Sequence, residues 1–172
     1  MGKVVWFTGL SASGKTTVAM ALKAALSLEG KSASVLDGDK IRATSHKHLG
    51  FSRNDIRENN RLIAESAKKE LEFYDFVLVP VISPYRQDRA TAKHIIGTDF
   101  VELYLNCPLD ICIKRDPKGL YKKALTGEID NFVGISESNP YEVPLDPDFE
   151  VMTGNSNIDD CINAILAFLE KM

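Results

Sequence analysis

Gly9-Leu10-Ser11-Ala12-Ser13-Gly14-Lys15-Thr16 is a complete phosphate-binding loop. Its two glycines bracket a turn whose backbone N–H groups can point at an anion, while Lys15 adds a charge for the β- and γ-phosphates and the Thr16 hydroxyl can bind Mg²⁺. The apolar residues 4–7 before the loop are typical of a strand, and residues 17–28 after it have helical spacing. The loop therefore begins a helix, whose dipole also favours an anion. The alternative, a glycine-rich turn that binds no ligand, does not explain why a strand precedes the loop and a helix follows it.

Length and composition limit the class of protein. A chain of 172 residues can form one domain with its own core, and 44% hydrophobic and 26% charged residues are ordinary for a globular protein. The net charge of −3 gives no basic surface that would indicate a nucleic-acid partner. No apolar run approaches the ~18–20 residues of a membrane span, and the chain begins directly in a strand, so we expect no membrane contact and no signal peptide.

The three cysteines, Cys107, Cys112 and Cys161, are odd in number and lack the spacing of metal ligands. We predict that all three are reduced structural thiols. Free thiols of this kind are typical of a reducing compartment, so the expected location is the cytoplasm.

Strand-like and helical segments alternate along the chain. The predicted strands are residues 4–7, 33–36, 76–82, 100–105 and 149–152, and the predicted helices include 17–28, 52–73, 86–96 and 159–172. This order predicts a three-layer α/β fold of the P-loop kinase type, with a five-stranded parallel sheet covered on both faces. In this interpretation residues 1–172 form a single domain, and the loop-rich segment 117–147 is a mobile lid.

Asp37 and Asp39 follow the second predicted strand, at the sheet edge where such folds bind ligands. Phosphoryl transfer needs positioning, charge neutralisation and a group that receives the proton of the nucleophile. A carboxylate at this edge can order Mg²⁺ or accept a proton from a sugar hydroxyl. The alternative is an ordinary Asp-Gly-Asp turn that caps the next helix. The phosphate loop in the same sheet favours the functional interpretation.

Several other polar residues are open to two interpretations. Arg42, Asn59 and Arg61 could contact a second anionic substrate or form a solvated helix face, and composition alone does not decide between them. The basic segment 115–123 could close over a transferring phosphate or form an exposed turn.

The histidines and Ser83 give no sign of nucleophilic catalysis. His46, His48 and His94 have no ligand-like arrangement, so we predict that they lie on the surface. No histidine has a spacing that would make it the base for Ser83, which we interpret as a backbone contact position.

Together these motifs resemble one family, the adenylylsulfate kinases, along nearly the whole chain. The matching segments are Trp6-Phe7-Thr8-Gly9-Leu10-Ser11, Leu36-Asp37-Gly38-Asp39, Leu49-Gly50-Phe51-Ser52, Ile82-Ser83-Pro84-Tyr85-Arg86 and 116–124, with shorter ones at 127–129, 131–132, 134–135 and 140–142. This set is far more specific than a phosphate loop alone. It implies an ATP- and Mg²⁺-dependent kinase that acts on the ribose 3′-hydroxyl of adenylylsulfate, usually as a homodimer.

The resemblance also implies residue roles. Asp39 and Lys15 would be catalytic, with Asp39 orienting or deprotonating the 3′-hydroxyl, while Thr16 and Asp37 would hold Mg²⁺. The residues expected to bind ATP are Gly9, Leu10, Ser11, Ala12, Ser13, Gly14, Lys15, Thr16, Thr17 and Arg115. Those expected to bind the acceptor, besides Asp39, are Arg42 and Asn59 at its phosphosulfate end, Phe51 and Phe132 around its base, Ile82 and Ser83 through the backbone, and Lys118, Gly119 and Leu120 in the lid.

The sequence departs from the family pattern on the acceptor side. Lys40 stands where the family usually has Asn, residues 43–46 read Ala-Thr-Ser-His instead of His-Gly-Leu-Asn, and Ile56 replaces an arginine that faces the anionic end of the substrate. Loss of such a contact costs about 1.5–3 kcal/mol, and Arg57, ~100° away around the helix, does not replace it.

These departures leave the identity of the acceptor open. One alternative is cytidine diphosphoramidate, phosphorylated on its 3′-hydroxyl by relatives of these kinases in capsule biosynthesis. Others are a small-metabolite kinase of the shikimate or gluconate type, and a module that binds ATP without transfer.

Overall fold

A five-stranded sheet forms the centre of the computed structural model, which describes residues 2–172. The elements are β1 (Lys3–Thr8), α1 (Lys15–Leu28), β2 (Ala33–Val35), α2 (Gly38–Ala43), α3 (Arg53–Glu70), β3 (Phe76–Pro80), α4 (Arg86–Ile96), β4 (Phe100–Asn106), α5 (Leu109–Arg115), α6 (Leu120–Leu125), β5 (Phe149–Met152) and α7 (Ile158–Leu169). The strand order is β2-β3-β1-β4-β5, and every neighbouring pair is parallel. The predicted fold and all five predicted strands are confirmed.

The central strand shows why both faces of the sheet are covered. Successive side chains of a strand point to opposite faces. Val5 and Phe7 pack into the apolar cluster that contains α1 and α7, whereas Val4 and Trp6 pack into the cluster that contains α3 and α4. All four side chains are fully buried, and each such burial contributes about 1.5–3 kcal/mol. A strand buried on both faces has no polar alternation, so β1 reads as a continuous apolar run.

The topology places the candidate site at the carboxyl edge of the sheet. In the sheet β1 lies between β3 and β4. The chain builds β2 and β3 on one side of β1 and then crosses to form β4 and β5 on the other side, and ligands of such sheets bind in the crevice at this switch point. The Thr8 hydroxyl at the end of β1 donates a hydrogen bond to the carbonyl oxygen of Ile82 (2.7 Å), which ties the two strand ends together. The phosphate loop and the segments after β2 and β3 therefore meet at one edge, as predicted.

The segment 117–147 is less irregular than its composition predicts, because it contains α6. Its side chains Tyr121 and Asn139 are buried against the rest of the domain. The three cysteines are buried and unpaired, as predicted. None of the helices within residues 2–172 combines the length and the apolar character that crossing a membrane requires.

Candidate active site

A cleft of about 1100 Å³ opens at the carboxyl edge of the sheet. Its walls come from the phosphate loop, α2, α3, the end of β3 and the segment 117–147. All the residues predicted to form the site line this cleft except Gly9, Leu10 and Gly119. Gly119 instead begins α6 with a left-handed backbone (φ 65°), a conformation that glycine adopts without strain.

The phosphate loop depends on its two glycines. A Cβ atom on Gly9 would lie 2.8 Å from both the carbonyl oxygen of Leu105 and the hydroxyl of Ser13, so no larger residue fits against β4. Gly14 has φ 98°, again in the left-handed region, and leads directly into α1. Leu10 packs behind the loop in the cluster that contains Tyr121. The loop is therefore shaped by close approach and backbone conformation, as the motif predicts.

Lys15 is buried at the base of the loop. Its Nζ atom donates hydrogen bonds to the carbonyl oxygens of Gly9 (3.0 Å) and Leu10 (2.6 Å). Burial lowers the pKa of Lys15 from its usual 10.5 to about 8, and the nearby charge of Asp39 partly opposes this shift. Lys15 is therefore still mostly charged at neutral pH, and a bound anion would favour its charged form further.

Thr16 and Asp37 meet as the sequence predicts. The Thr16 hydroxyl donates to Oδ2 of Asp37 (2.9 Å), while Oδ1 of Asp37 accepts from the backbone N–H groups of Asp39 (3.0 Å) and Lys40 (3.2 Å). Asp37 therefore caps α2 with one oxygen and faces the phosphate loop with the other. Asp37 is buried. It therefore fits both interpretations of the Asp-Gly-Asp turn, as a helix cap and as a carboxylate at the candidate site.

Asp39 lies in the first turn of α2 and pairs with a lysine 79 residues away. The partner is Lys118 of the segment 117–147, and both side chains are more than half exposed. An exposed ion pair contributes only about 0–1 kcal/mol, so this contact opens easily when a ligand enters the cleft.

Arg42 of α2 contacts the loop that carries Phe51. Nη1 of Arg42 donates to the carbonyl oxygen of Gly50 (2.7 Å), and its guanidinium lies 4.7 Å from the centroid of the Phe51 ring. Phe51 remains 63% exposed, so one ring face is open to a ligand. Phe132, the second predicted aromatic contact, packs edge-on against Tyr121 with the centroids 5.0 Å apart.

One face of α3 lines the cleft. Ile56, Asn59 and Asn60 occupy positions i, i+3 and i+4, which lie together on a helix, and all three are buried. Ile56 packs against Tyr85 and Val133, whereas Arg57 is exposed and so does not take its place. Asn60 was not among the predicted site residues, although its spacing of four from Ile56 indicated the same helix face.

The prediction that His46 lies on the surface is wrong. The loop after α2 folds back onto α3, and this buries the His46 ring, whose Nδ1 atom lies 2.9 Å from Oδ1 of Asn59. His48 and His94 are exposed, as predicted.

Ser83 is held by its backbone. Its φ of 45° is unusual for a residue other than glycine, and its hydroxyl is buried without a hydrogen-bond partner. Its carbonyl oxygen accepts from Nη1 of Arg89 (2.6 Å). Backbone strain of this kind costs about 1–3 kcal/mol and persists where the surroundings enforce it.

Arg115 lines the cleft through contacts that the sequence did not reveal. Its Nη2 atom donates to the carbonyl oxygens of Thr153 (2.6 Å) and Gly154 (3.0 Å), after β5. The Thr153 hydroxyl donates in turn to the carbonyl oxygen of Ser13 (2.7 Å). Arg115 therefore fixes the loop after β5 against the phosphate loop.

Two buried side chains fasten the segment 117–147 to the cleft. The Tyr121 hydroxyl donates to the carbonyl oxygen of Ser11 (2.9 Å). Asn139 accepts from the Tyr85 hydroxyl (2.6 Å) and donates through Nδ2 to the carbonyl oxygens of Asn131 (2.7 Å) and Phe51 (3.3 Å). The segment is thus tied to the phosphate loop at one end and to the Phe51 loop at the other.

Solved structures with the same fold fall into two groups. The Mycobacterium tuberculosis APS kinase CysC, solved in complex with AMPPNP and APS, is 43% identical with a TM-score of 0.90, and the match covers 98% of each chain. A hexameric APS kinase from Thiobacillus denitrificans is 30% identical with a TM-score of 0.72, over 99% of this chain and 29% of that one. A Sinorhizobium meliloti gluconokinase, 16% identical with a TM-score of 0.63 over 99% of this chain and 92% of its own, shares the fold alone.

Sequence comparison gives the same relationship. The adenylyl-sulfate kinase of Prochlorococcus marinus is 47% identical over 170 residues, which are 98% of this chain and 84% of the relative. That of Clostridium kluyveri is 44% identical over 168 residues, which are 98% of this chain and 83% of the relative. The model of the adenylylsulphate kinase family matches residues 1–152. The chain therefore belongs to the adenylylsulphate kinase family.

Proposed function

We propose that this chain transfers the γ-phosphoryl group of ATP to the ribose 3′-hydroxyl of adenylylsulfate. The observation that carries the proposal is a single cleft that joins the phosphate loop and the Thr16–Asp37 pair to Asp39 and the rings of Phe51 and Phe132. Membership of the adenylylsulphate kinase family supports the same reaction. Its relatives give no support to a cytidine diphosphoramidate acceptor, a small-metabolite acceptor or a module without transfer.

The end of the cleft that we call the donor half comprises residues 11–17, Asp37 and Arg115. Backbone N–H groups of the loop bind the phosphates of ATP, and Lys15 turns its ammonium from the loop carbonyls towards the β- and γ-phosphates. Arg115 holds the loop after β5 in position to border the nucleotide.

The donor half also fits Mg²⁺. The Thr16 hydroxyl and Oδ2 of Asp37 are hard oxygen donors 2.9 Å apart. Within residues 2–172 no group of three His, Cys, Asp or Glu side chains could hold a metal ion without help. Mg²⁺ is typically bound by one or two protein oxygens together with phosphates and water, so the pair suits it. When bound, Mg²⁺ neutralises charge on the β- and γ-phosphates.

The other end of the cleft, the acceptor half, comprises Asp39, Arg42, Phe51, Ile56, Asn59, Asn60, Ile82, Ser83, Lys118 and Phe132. The rings of Phe51 and Phe132 hold the base, and Arg42, Asn59 and Lys118 face the anionic end of adenylylsulfate. Asp39 leaves its pairing with Lys118 and accepts a hydrogen bond from the 3′-hydroxyl. As the bond from the 3′-oxygen to phosphorus forms and the bond to the β-phosphate oxygen breaks, Asp39 takes up the hydroxyl proton.

The segment 117–147 is proposed to act as the lid of the single domain. It contributes Lys118, Leu120 and Phe132 to the cleft, and its closure over both nucleotides would exclude water from the transferring group. We also propose a homodimer in the cytoplasm. The hexameric relative shows that oligomers occur among similar chains, and three buried free thiols suit a reducing compartment.

The test measures ADP release with ATP and Mg²⁺, and identifies the product by ³¹P NMR. We expect rapid turnover with adenylylsulfate, slow turnover with AMP, which lacks the sulfate, and a new 3′-phosphate signal. Asp39→Asn should lower kcat by about 10²–10⁴-fold while ATP binding is retained, because it removes a proton acceptor. Asp159→Asn, at an exposed aspartate of α7, is the matched control and should match the wild type. Equal rates with and without adenylylsulfate would exclude the reaction, and an active Asp39→Asn would exclude the role of Asp39.

A further inference from the structure

His46 is a buried imidazole that does not line the cleft. Its exposed fraction is 9%, and its backbone is fixed on both sides, since its N–H donates to the carbonyl of Ile41 (3.0 Å) and its carbonyl accepts from the N–H of Leu49 (3.0 Å). Its Nδ1 atom meets Oδ1 of Asn59 at 2.9 Å. Asn59 does line the cleft, and its exposed fraction is 5%. The imidazole therefore touches the site through one amide.

The polarity of this hydrogen bond follows from its atoms. A carbonyl oxygen only accepts, so Nδ1 of His46 carries a proton and donates the hydrogen bond to Oδ1 of Asn59. Within residues 2–172 the Nδ2 group of Asn59 makes no hydrogen bond, and it is not among the fully buried side-chain atoms that lack a hydrogen-bond partner. Its N–H donors are therefore open to the cleft.

We propose that His46 is a positioning residue that holds the Asn59 amide with its donor side towards the acceptor. This inference rests on the proposed function, in which Asn59 faces the anionic end of adenylylsulfate. A rotated amide would present its oxygen to that anion and repel it, whereas the observed orientation presents two N–H donors. Ile56, one turn earlier on the same face, offers no polar group, so the orientation of this amide carries more of the binding.

The surroundings of the pair agree with this role. Arg57 of α3 is exposed and directed away from the cleft face, so it supplies no alternative donor. Nη1 of Arg42 already donates a hydrogen bond to the carbonyl oxygen of Gly50 (2.7 Å), and the guanidinium stacks on Phe51. The histidine imposes an orientation on Asn59 because its ring is rigid and both its neighbouring backbone groups are bonded.

The experiment compares His46→Leu with His46→Asn. Leucine keeps the approximate volume and removes the donor, whereas the Nδ2 group of asparagine can stand near the position of imidazole Nδ1 and restore it. His46→Leu should raise the KM for adenylylsulfate about ten-fold, with kcat and the KM for ATP near wild-type values, and His46→Asn should return it to within about two-fold. His48→Leu, at the exposed histidine of the same loop, is the matched control.

A double-mutant cycle with Asn59→Ala separates positioning from general loosening of the loop. If His46 acts through Asn59, His46→Leu has no further effect on the acceptor KM once the amide is absent. If it only stiffens the loop that carries Phe51, the two effects multiply, which would overturn the proposal. Equal acceptor KM values for the wild type and His46→Leu would overturn it as well.

A substrate-free measurement keeps this inference distinct from the proposed function. Long-range ¹H–¹⁵N NMR of the labelled wild type reports which imidazole nitrogen carries the proton. A proton on Nδ1 of His46 is expected, and a neutral ring with the proton on Nε2 would overturn the proposal. A wild type that forms no 3′-phosphate product would instead exclude the proposed function, whatever the NMR result for His46.

Discussion

The donor and acceptor halves of the cleft are held together in different ways. In the donor half, Lys15, Asp37 and Ser13 are buried, and their hydrogen bonds join the phosphate loop, α2 and the loop after β5. In the acceptor half, the pair of Asp39 and Lys118 spans 79 residues of sequence, and both side chains are mostly exposed. The contacts of the donor half are therefore already formed without a ligand, whereas the exposed pair in the acceptor half is a contact that a ligand can exchange.

This difference suggests an order of events. A preformed phosphate site loses little conformational entropy on binding, so ATP should bind to the free protein without help from the acceptor. In the proposed reaction the acceptor displaces Lys118 from Asp39 and contacts the segment 117–147, so its affinity should depend on these long-range contacts. Substitutions in the donor half should mainly affect ATP and catalysis, and those that hold the lid should mainly affect the acceptor.

Within the donor half, the largest expected effect is that of Lys15→Ala. It removes the one buried ammonium group of the phosphate loop and, with it, charge stabilisation during transfer. A loss of about 10²–10³-fold in kcat is expected, as for other groups aimed at developing charge. Lys23→Ala, at an exposed lysine of the same helix, is the matched control and should retain wild-type rates. Steady-state kinetics with both substrates would contradict the role of Lys15 if Lys15→Ala and Lys23→Ala had the same kcat.

The pH dependence of ATP use should reveal the same lysine. Burial lowers the pKa of Lys15 to about 8 in the free protein, so its positive charge is lost as the pH rises through that value. We expect kcat/KM for ATP to fall about ten-fold per pH unit above pH 8, while kcat stays level because bound phosphates keep the lysine protonated.

Titration of Lys15 does not itself destabilise the fold in this pH window. The pKa of Lys15 is lower in the folded protein than its usual 10.5, so between pH 8 and 10.5 the unfolded chain binds more protons. The contribution of Lys15 to the free energy of unfolding therefore rises with pH in this window. If kcat/KM for ATP stayed level up to pH 9.5, with a thermal-unfolding control at each pH, the pH dependence could not be assigned to Lys15.

The donor half was predictable because its information is local. The loop motif, the strand before it and the helix after it lie within 28 residues, and each has its own physical signature. The carboxyl-edge rule then joined Asp37 to Thr16 without knowledge of any side-chain contact. The five strands were predictable for a similar reason, since a strand buried on both faces must be apolar throughout.

The contacts of the acceptor half were not predictable, because long-range packing decides them. Nothing in the sequence around His46 indicates that its loop folds onto α3, and this is why the surface prediction failed. Asn139 lies in a polar, loop-rich stretch, yet it connects Tyr85, Asn131 and the Phe51 loop. The donor half has one such case as well, because Arg115 was predicted to bind ATP, whereas its hydrogen bonds to the loop after β5 needed the structure.

Asn139→Ala should show how far the acceptor half depends on the lid. It leaves the buried hydroxyl of Tyr85 without its partner and releases the lid from the Phe51 loop. We expect the free energy of unfolding to fall by about 1–3 kcal/mol and the KM for adenylylsulfate to rise several-fold, with the KM for ATP little changed. Urea unfolding and kinetics test this, with Asn54→Ala, an exposed asparagine of α3, as the control. An equal rise in both KM values would remove the proposed distinction between the halves.

Tyr121→Phe should have the smallest effect and is the sharpest test of the boundary between the halves. The tyrosine belongs to the lid, but its hydroxyl donates to the carbonyl oxygen of Ser11 in the phosphate loop (2.9 Å). Its removal keeps the ring contact with Phe132 and should lower the free energy of unfolding by about 0.5–1.5 kcal/mol. Because the lost bond ends on the loop, the KM for ATP should rise about two- to ten-fold, while Tyr74→Phe, at a more exposed ring, should change neither value. A rise confined to the KM for adenylylsulfate would instead assign Tyr121 to the acceptor half. The contact between the lid and the phosphate loop would then have no effect on ATP binding.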